Sequence, residues 1–360
     1  MGTATVRHIC RSAAAAAGLA MAISAGHAED RPGTWRLEAW QPPFDYSHPS
    51  TAIDYQPVAN AAHHWKICAS YPHLKDSYWV SVNYGMVEQA KAAGVGLTVV
   101  EAGGYPNLDK QIEQIKACST NADALIVGTV SYNGLTPTIQ EIARRIPVIA
   151  AVNDIDSTGI TAKAAVSWEE MGRSIGSYLA NLHPPGSKPV KIAWFPGPKG
   201  AGWVPFIEAG FQQGLKNSSA KIAAVKWGDT GMEIQLLLVE DVLATQPDID
   251  YIVGSAPTAD AAVSLLRAQG KEQRIKILAD YFTHGTFREI FRDKVLAAPT
   301  DSPPLQGRIA IDQAIRAIEG TLRYRHIGPQ IKVVNKTNVL SLDLDNTLAP
   351  AWFKPTFEVK

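Results

Sequence analysis

The chain of 360 residues is long enough for two domains with sizeable hydrophobic cores. Basic and acidic residues number 34 each, so the formal net charge is +0, and without a basic stripe nucleic acid is not an expected partner. The hydrophobic content of 46% and charged content of 19% are typical of a globular protein, and 9 tryptophans supply rigid surfaces for a binding site.

The N-terminus has the pattern of an export signal. Arg7 and Arg11 precede an apolar run of small residues, Ser12 to Ser24. Residues 26–28, Gly-His-Ala, then place small residues at the two positions that a signal peptidase reads. The run is too short to span a membrane as a helix. We expect residues 1–28 to be cleaved near Ala28, which leaves an exported protein that is not embedded in a membrane.

Three cysteines are present, and export would remove Cys10. The remaining two, Cys68 and Cys118, form an even pair in an oxidising compartment. Cys68 lies on the first predicted core strand and Cys118 near the end of the second predicted helix. A disulfide is the preferred interpretation. Two buried free thiols are the alternative, because cysteine is often an ordinary core residue.

From Lys66 onward, apolar runs of strand length alternate with helical stretches, whereas residues 29–64 are rich in Pro, Trp and Tyr and predict an extended arm. This alternation predicts βα units and a parallel sheet, an α/β fold. The strand-length runs include 67–69, 96–101, 124–127, 148–152, 191–195, 223–227, 250–253 and 275–279. Predicted helices include one that Ser77 can cap and Gly94 can end, one with a capping box at Ser167 and Glu170, and a last one over 306–319.

Two successive sets of βα units predict two doubly wound lobes. We assign 65–162 with about 299–325 to the first lobe, and 163–298 with about 326–360 to the second. Ligands of such sheets bind beyond the carboxyl ends of the strands. If the lobes face each other there, the loops after the strands converge on one cleft for a small molecule.

Tyrosine and tryptophan dominate the residues that follow the predicted strands. Aromatic faces attract a quaternary ammonium-like group by about 0.5–2 kcal/mol per ring, and a carboxylate adds to that attraction. For any single ring a place in the core is the better interpretation, but this weakens for the whole set. The set is Asp76, Tyr78, Trp79, Tyr105, Tyr132, Asn153, Asp154, Trp168, Trp203, Ser255, Asp280 and Tyr281.

Motifs of catalysis are missing from the sequence. It contains no Gly-x-Ser-x-Gly elbow and no His-Glu-x-x-His pair, and the glycine-rich run 197–202 lacks the Lys-Ser/Thr ending of a phosphate loop. Binding is therefore favoured over catalysis, with no metal and no cofactor expected. An enzyme that uses Asp76, Asp154 and Asp280 is an alternative that no motif supports.

Five segments of the chain resemble a known family: KICASYPHLKDSYWVSVNYGMVEQA, VVEAGGYPN, AVSWEEMG, DYIVGSA and KVLAAPTDSPPLQGR. They are similar to the type I periplasmic binding proteins, the fold of ribose-binding proteins and LacI-type regulators, and within these to members that bind trimethylamine N-oxide (TMAO). The resemblance extends from about Trp65 to the C-terminus. It implies a periplasmic protein whose two lobes are joined by three hinge crossings.

The resemblance also implies a function and a site. Members of this kind bind TMAO and act with the periplasmic domain of a sensor histidine kinase. The implied cage consists of Asp76, Tyr78, Trp79, Tyr105, Trp168 and Tyr281, with Tyr132, Asn153, Asp154, Ser255 and Asp280 as further candidates. A sugar- or amine-binding protein of an ABC importer is the alternative. Sugar-binding members commonly place an Arg beside the Asp after the fourth strand, and residues 153–155, Asn-Asp-Ile, have none.

Overall fold

The computed structural model describes residues 1–2 and 33–360. The chain divides into two compact units, Met1–Pro32 and Gly33–Lys360, and every described strand and helix lies in the second unit. The predicted export signal and its cleavage point lie in the part of the chain outside the described residues. Among the described helices, none combines the length and the apolar character that crossing a membrane requires.

Strands and helices alternate along most of residues 66–318, as the sequence predicts from Lys66 onward. The strands are β1 (Trp35–Ala39), β2 (Thr51–Tyr55), β3 (Lys66–Tyr71), β4 (Gly96–Glu101), β5 (Ala124–Val127), β6 (Val148–Ala151), β7 (Ala162–Ala164), β8 (Val190–Gly197), β9 (Ala220–Trp227), β10 (Tyr251–Gly254), β11 (Lys276–Ala279), β12 (Ala297–Thr300), β13 (His326–Gly328), β14 (Lys332–Asn335) and β15 (Glu358–Val359). The helices are α1 (Ser77–Ala93), α2 (Leu108–Cys118), α3 (Thr136–Ile142), α4 (Trp168–Leu182), α5 (Val204–Gly214), α6 (Met232–Thr245), α7 (Ala256–Ala268), α8 (His284–Phe291), α9 (Pro303–Ile318) and α10 (Leu344–Thr347).

Two large sheets organise the described chain. The first has the order β15-β4-β3-β5-β6-β7-β13-β1-β2, and the second has the order β11-β10-β8-β9. Strands β4, β3, β5, β6 and β7 run parallel in the first sheet. All pairs of the second sheet are parallel as well. Helices connect the parallel strands, so the predicted α/β class with parallel sheets is confirmed.

Residues 33–64 of the predicted arm are more ordered than their sequence predicts. β1 and β2 form an antiparallel hairpin, and β1 pairs with β13, so the arm extends the edge of the first sheet. Tyr55 donates a hydrogen bond to Asp312 of α9, and the ring of Trp40 stacks on His326 with centroids 4.7 Å apart. These contacts join residues that are far apart in the sequence, which explains why local periodicity does not reveal the strands.

The strand pairing changes the predicted division into lobes. We predict residues 326–360 in the second lobe, but β13 pairs with β7 and β15 with β4, both in the first sheet. Only β14 of this tail pairs with β12, in a separate two-stranded sheet. The reason is that both edges of the parallel core still have free backbone hydrogen-bonding groups, which the late strands satisfy. The other lobe boundaries stay a prediction.

Cys68 and Cys118 are joined by a disulfide in the structure, with their Cα atoms 5.9 Å apart. Cys68 lies in β3, an interior strand of the first sheet between β4 and β5, and Cys118 is the last residue of α2. The bond therefore ties α2 to the strand on which it packs, the arrangement that the sequence predicts for this pair.

Glycine lets α1 and α9 approach to backbone contact. A Cβ atom added at Gly85 would lie 1.8 Å from the carbonyl oxygen of Pro304, and one at Gly307 would lie 2.3 Å from that of Val82. Real Cβ atoms do not come that close to an oxygen, so only glycine fits at these two positions. The contact fixes α1, whose first turn faces the second sheet, and thereby positions the candidate site.

Candidate ligand-binding site

A small cavity lies where the loops after the strands of both sheets meet. Its free volume for a water-sized molecule is about 10 Å³, so its walls nearly fill it. The lining residues are Asp76, Tyr78, Trp79, Tyr105, Asn153, Trp168, Trp203, Thr230 and Tyr281. All six residues of the predicted cage are among them. The walls come from both lobes, so the cavity lies between them.

Asp76 connects the two sides of the cavity. One of its carboxylate oxygens caps α1 and accepts from the backbone N–H groups of Tyr78 at 2.9 Å and Trp79 at 3.2 Å. Its other oxygen accepts from the hydroxyl of Tyr281, 3.1 Å away in the second lobe. The sequence predicts Ser77 as the cap, but Ser77 is the first helical residue and Asp76 is the N-cap. The same carboxylate therefore caps α1 and places a negative charge at the cavity.

The hydroxyl groups of Tyr78 and Tyr281 both donate to carboxylates. Tyr78 donates to Asp301 at 2.6 Å, and its ring meets that of Tyr281 at a centroid distance of 5.2 Å. Burial raises the pKa of both phenols, and the nearby charges of Asp301 and Asp76 raise them further. Both residues therefore stay neutral and present ring edges and faces to the cavity.

Tyr105 has a hydroxyl proton that meets no acceptor among the described residues. Its oxygen accepts from the Asn153 amide at 3.2 Å, and the same amide donates to the carbonyl oxygen of Thr129 at 2.8 Å. Burial raises the pKa of Tyr105, while Asn153 and the indole groups of Trp79 and Trp203 act in the opposite direction. The Tyr105 hydroxyl is therefore a neutral donor, held in place by Asn153 and free to bind an acceptor.

Trp203 supplies a second free donor. Its indole nitrogen is buried and has no hydrogen-bond partner in the described chain, although it lies near the Tyr105 oxygen. The indole N–H of Trp168, by contrast, donates to the carbonyl oxygen of Val152 at 2.9 Å. A buried N–H without a partner costs stability unless a ligand or water satisfies it. The wall formed by Tyr105 and Trp203 is thus suited to an oxygen acceptor.

The rings of the cavity contact one another in a chain around it. Trp203 lies 5.1 Å from Trp168, 6.4 Å from Tyr105 and 6.2 Å from Tyr281, measured between ring centroids. Asp76 is the one carboxylate among the lining residues. Aromatic faces with a carboxylate on one side and free donors on the other suit a compact molecule that carries a cationic and an anionic centre.

Sequence reasoning misses Trp203 and Thr230 as parts of the cage. Trp203 is among the aromatic residues after strands, but it follows the glycine-rich run 197–202, for which the sequence predicts only a turn. In the structure a Cβ at Gly202 would lie 1.9 Å from the carbonyl oxygen of Asp154, so this turn packs directly on the first lobe. Thr230 follows β9 and hydrogen-bonds with His73 at 3.1 Å. Nothing in its local sequence indicates this contact across the cleft.

Of the further candidates, only Asn153 lines the cavity. Asp154 forms a buried ion pair with Lys163, and Tyr132 is 40% exposed; both belong to a neighbouring cavity. Ser255 caps α7 by accepting from the backbone N–H of Thr258. Asp280 is buried at the end of β11. The capping box predicted at α4 is half formed, since the Ser167 hydroxyl accepts from Glu170, whose side chain pairs with Arg173.

A two-lobed α/β fold with an aromatic cavity between strand ends defines a small-molecule binding protein. The chain belongs to the family of periplasmic binding proteins and sugar binding domains of the LacI family, whose model matches residues 64–340. The Escherichia coli K12 protein named periplasmic protein TorT is 35% identical over 297 residues, covering 81% of this chain and 84% of that one. The family and the periplasmic location predicted from the sequence are thereby confirmed.

Solved structures agree with this assignment. An ABC transporter solute binding protein from Bradyrhizobium sp. BTAi1, with bound bis-tris, is 45% identical, has a TM-score of 0.77 and covers 92% of this chain and 100% of its own. A chain of the TorS sensor domain–TorT complex in the presence of TMAO is 40% identical, has a TM-score of 0.75 and covers 81% of this chain and 99% of its own. These relatives are named as binding proteins or parts of a sensor complex, not as enzymes.

Proposed function

We propose that this protein binds TMAO in the aromatic cavity and reports its occupancy to the periplasmic domain of a TorS-type sensor histidine kinase. The observation that carries the proposal is the chemistry of the cavity, with rings and one carboxylate on one side and two unsatisfied donors on the other. Similarity to TorT, and to a TorS–TorT complex in the presence of TMAO, supports both the ligand and the partner.

TMAO matches the cavity group by group. Its methylated, positively charged nitrogen lies against the rings of Tyr78, Trp168 and Tyr281, each contributing about 0.5–2 kcal/mol, and faces the Asp76 carboxylate. Its oxygen accepts from the Tyr105 hydroxyl and the Trp203 indole, two donors that meet no acceptor among the described residues. This places both ends of the ligand dipole against groups of the opposite sign.

Signalling follows from the position of the cavity between the lobes. Ligand contacts made by both lobes favour one lobe arrangement over another, and a kinase domain senses this only through contacts that differ between the arrangements. Structures of the TorS–TorT complex exist both in the absence of ligand and in the presence of TMAO. We infer that the kinase partner stays bound in either state and responds to the change in lobe angle.

Delivery of an organic amine to an ABC importer is the second candidate function. It is favoured by the 45% identical ABC transporter solute binding protein with bound bis-tris, because bis-tris is itself an amine. The aromatic cavity would serve this function equally well, but the partner would be a permease. Sugars are a poorer match, since the lining offers few polar side chains to hydroxyl groups.

Titration calorimetry with TMAO, glycine betaine, choline and ribose tests the ligand. We expect TMAO to bind the wild type and to bind Asp76→Asn at least about tenfold more weakly, a loss of about 1.4 kcal/mol. Asparagine caps helices as well as aspartate does, so this variant removes the charge and keeps the start of α1. Ribose binding without TMAO binding would contradict the proposal, as would equal TMAO affinity in the variant.

A second measurement tests the partner. The purified periplasmic domain of a TorS-type kinase is titrated with this protein, with and without TMAO. Complex formation is expected, with an affinity or stability that TMAO changes. TMAO binding without any complex would leave the importer function as the better explanation.

A further inference from the structure

A larger cavity lies on the other side of the loop that carries Asn153. Its free volume is about 300 Å³, at the lower end of the range of ligand sites, whereas the aromatic cavity has about 10 Å³. Asn153 faces the aromatic cavity, and the next residue, Asp154, lines this one. The two cavities are therefore neighbours with separate walls.

A buried ion pair forms the floor of the larger cavity. The side chains of Asp154 and Lys163 are each 6% exposed and contact each other directly. The Lys163 ammonium also lies 5.0 Å from the centroid of the Tyr46 ring, so its charge is satisfied on two sides. Burial raises the pKa of Asp154, and the Lys163 charge opposes that rise. The floor is thus polar but close to neutral overall.

The rest of the lining is mainly aromatic and aliphatic, and it includes two further acidic residues, Asp45 and Glu169. The rings of Tyr132 and Phe206 lie 5.5 Å apart between centroids and face the cavity together with Phe44. Glu169 lies at the rim, and in residues 33–360 no cation pairs with its carboxylate. Burial raises the pKa of Tyr132, and the nearby charges of Asp154 and Asp156 raise it further.

We propose that this cavity is a second binding site, for a small organic cation of the alkylammonium type. Its ammonium group pairs with Glu169, and its apolar part lies against the adjacent rings of Tyr132 and Phe206. Aromatic faces beside an unpaired carboxylate attract a cation and disfavour an anion. The Asp154–Lys163 pair keeps a ligand charge away from the floor of the cavity. A ligand charge that paired with one of these two side chains would leave the other buried and unpaired.

The site joins three parts of the molecule. Tyr132 follows β5 of the first sheet, Phe206 belongs to α5 beside the second sheet, and Phe44 comes from the arm. The family model begins at residue 64, so the arm that completes the cavity lies outside the segment matched to the family. A ligand that lies against both Tyr132 and Phe206 contacts both lobes and therefore favours the arrangement in which these two rings are adjacent.

Titration of n-butylammonium chloride into the exported protein saturated with TMAO tests the proposal. We expect one-site binding that weakens at least about fivefold in Glu169→Gln and in Tyr132→Ala. Tyr132 is 40% exposed, so its truncation leaves the core intact. Glu233→Gln, which changes the same residue type in the first turn of α6, is the matched control and should bind as the wild type does. Sodium butyrate, an anion of equal length, should not bind.

Two results would overturn the second site. One is the absence of binding at tens of millimolar n-butylammonium, and the other is wild-type affinity in both Glu169→Gln and Tyr132→Ala. The proposal does not depend on TMAO. If TMAO fails to bind, the same titrations on ligand-free protein still decide it, because the two variants leave the aromatic cavity unchanged.

Discussion

Asp280 is a buried acid that the proposed function does not use. It has no exposed surface, and neither carboxylate oxygen has a hydrogen-bond partner in another described residue. Burial raises its pKa well above the usual value. The folded protein therefore holds a proton on Asp280 at a pH where the unfolded chain, with a pKa of about 3.9, has released it.

This proton linkage predicts how stability changes with pH. The contribution of Asp280 is complete below pH of about 3.9 and is lost as pH rises through the raised folded-state pKa, since the folded state binds more protons there. Asp280→Asn removes the titration, so the Tm of the variant should rise relative to the wild type between pH 4 and pH 7. Thermal melts across that range measure it. A constant Tm difference would show that the pKa of Asp280 is not raised in the folded protein.

At the level of residues, the sequence predicts much of the site but not its donors. Asp76, Tyr78 and Tyr281 could be predicted because residues after parallel strands share one edge of a sheet, and because the resemblance selects among them. Trp203 and Thr230 could not, since their place depends on how one lobe packs against the other. Which N–H and O–H groups are left without an acceptor depends on tertiary hydrogen bonds, such as that from the Trp168 indole to the Val152 carbonyl oxygen, and these have no local sequence signal.

Between elements, the contact of α1 with α9 is the closest packing that bears on the site. The first turn of α1 carries Tyr78 and Trp79, and Asp301, just before α9, accepts from the Tyr78 hydroxyl. A shift of either helix thus moves the wall of the cavity. The Gly85 and Gly307 positions determine how near the two helices can come.

Gly85→Ala should destabilise the protein by about 1–3 kcal/mol, because its new Cβ would overlap the Pro304 carbonyl oxygen and force the helices apart. Chemical denaturation measures the free energy of unfolding. Gly231→Ala is the matched control, since Gly231 has a φ of −76° and no atom within 4 Å of its added Cβ. Equal stability of the two variants would mean that α1 and α9 have room to adjust.

The alternation of strands and helices could be predicted because hydrophobic periodicity is a local property. The short strands β13 and β15 could not be predicted from such a local pattern. β13 has three residues and β15 has two, and each exists only because a distant strand offers free backbone groups. The hairpin of the arm could not be predicted for the same reason. Its Trp- and Tyr-rich sequence has no clean period, and β1 is held in place by its pairing with β13.

For the molecule as a whole, one loop of the first lobe holds the cleft closed. Lys75 pairs with Asp229 at 2.8 Å, His73 hydrogen-bonds with Thr230, and Asp76 accepts from Tyr281. Burial lowers the pKa of His73, so its contact with Thr230 is that of a neutral imidazole. Three neighbouring residues thus bridge the lobes at the mouth of the aromatic cavity.

Lys75→Ala should shift the ligand-free protein towards an open arrangement. An ion pair of this exposure contributes up to about 1 kcal/mol, which changes the ratio of closed to open molecules by up to about fivefold. Small-angle X-ray scattering should show a larger radius of gyration without ligand and a return to the wild-type value with TMAO. Lys91→Ala is the control, because Lys91 pairs with Glu88 inside α1. The same radius for both variants would show that Lys75 does not hold the cleft.

The disulfide has a consequence for where the protein can work. Cys68 and Cys118 enclose a loop with a sequence separation of 50, and this loop contains Asp76, Tyr78, Trp79 and Tyr105. Closing a loop of that length lowers the entropy of the unfolded chain by an amount equivalent to about 4 kcal/mol. In a reducing compartment the segment that carries four of the nine residues lining the aromatic cavity would lose this restraint. An oxidising compartment such as the periplasm therefore preserves the restraint on the segment that builds much of the aromatic cavity.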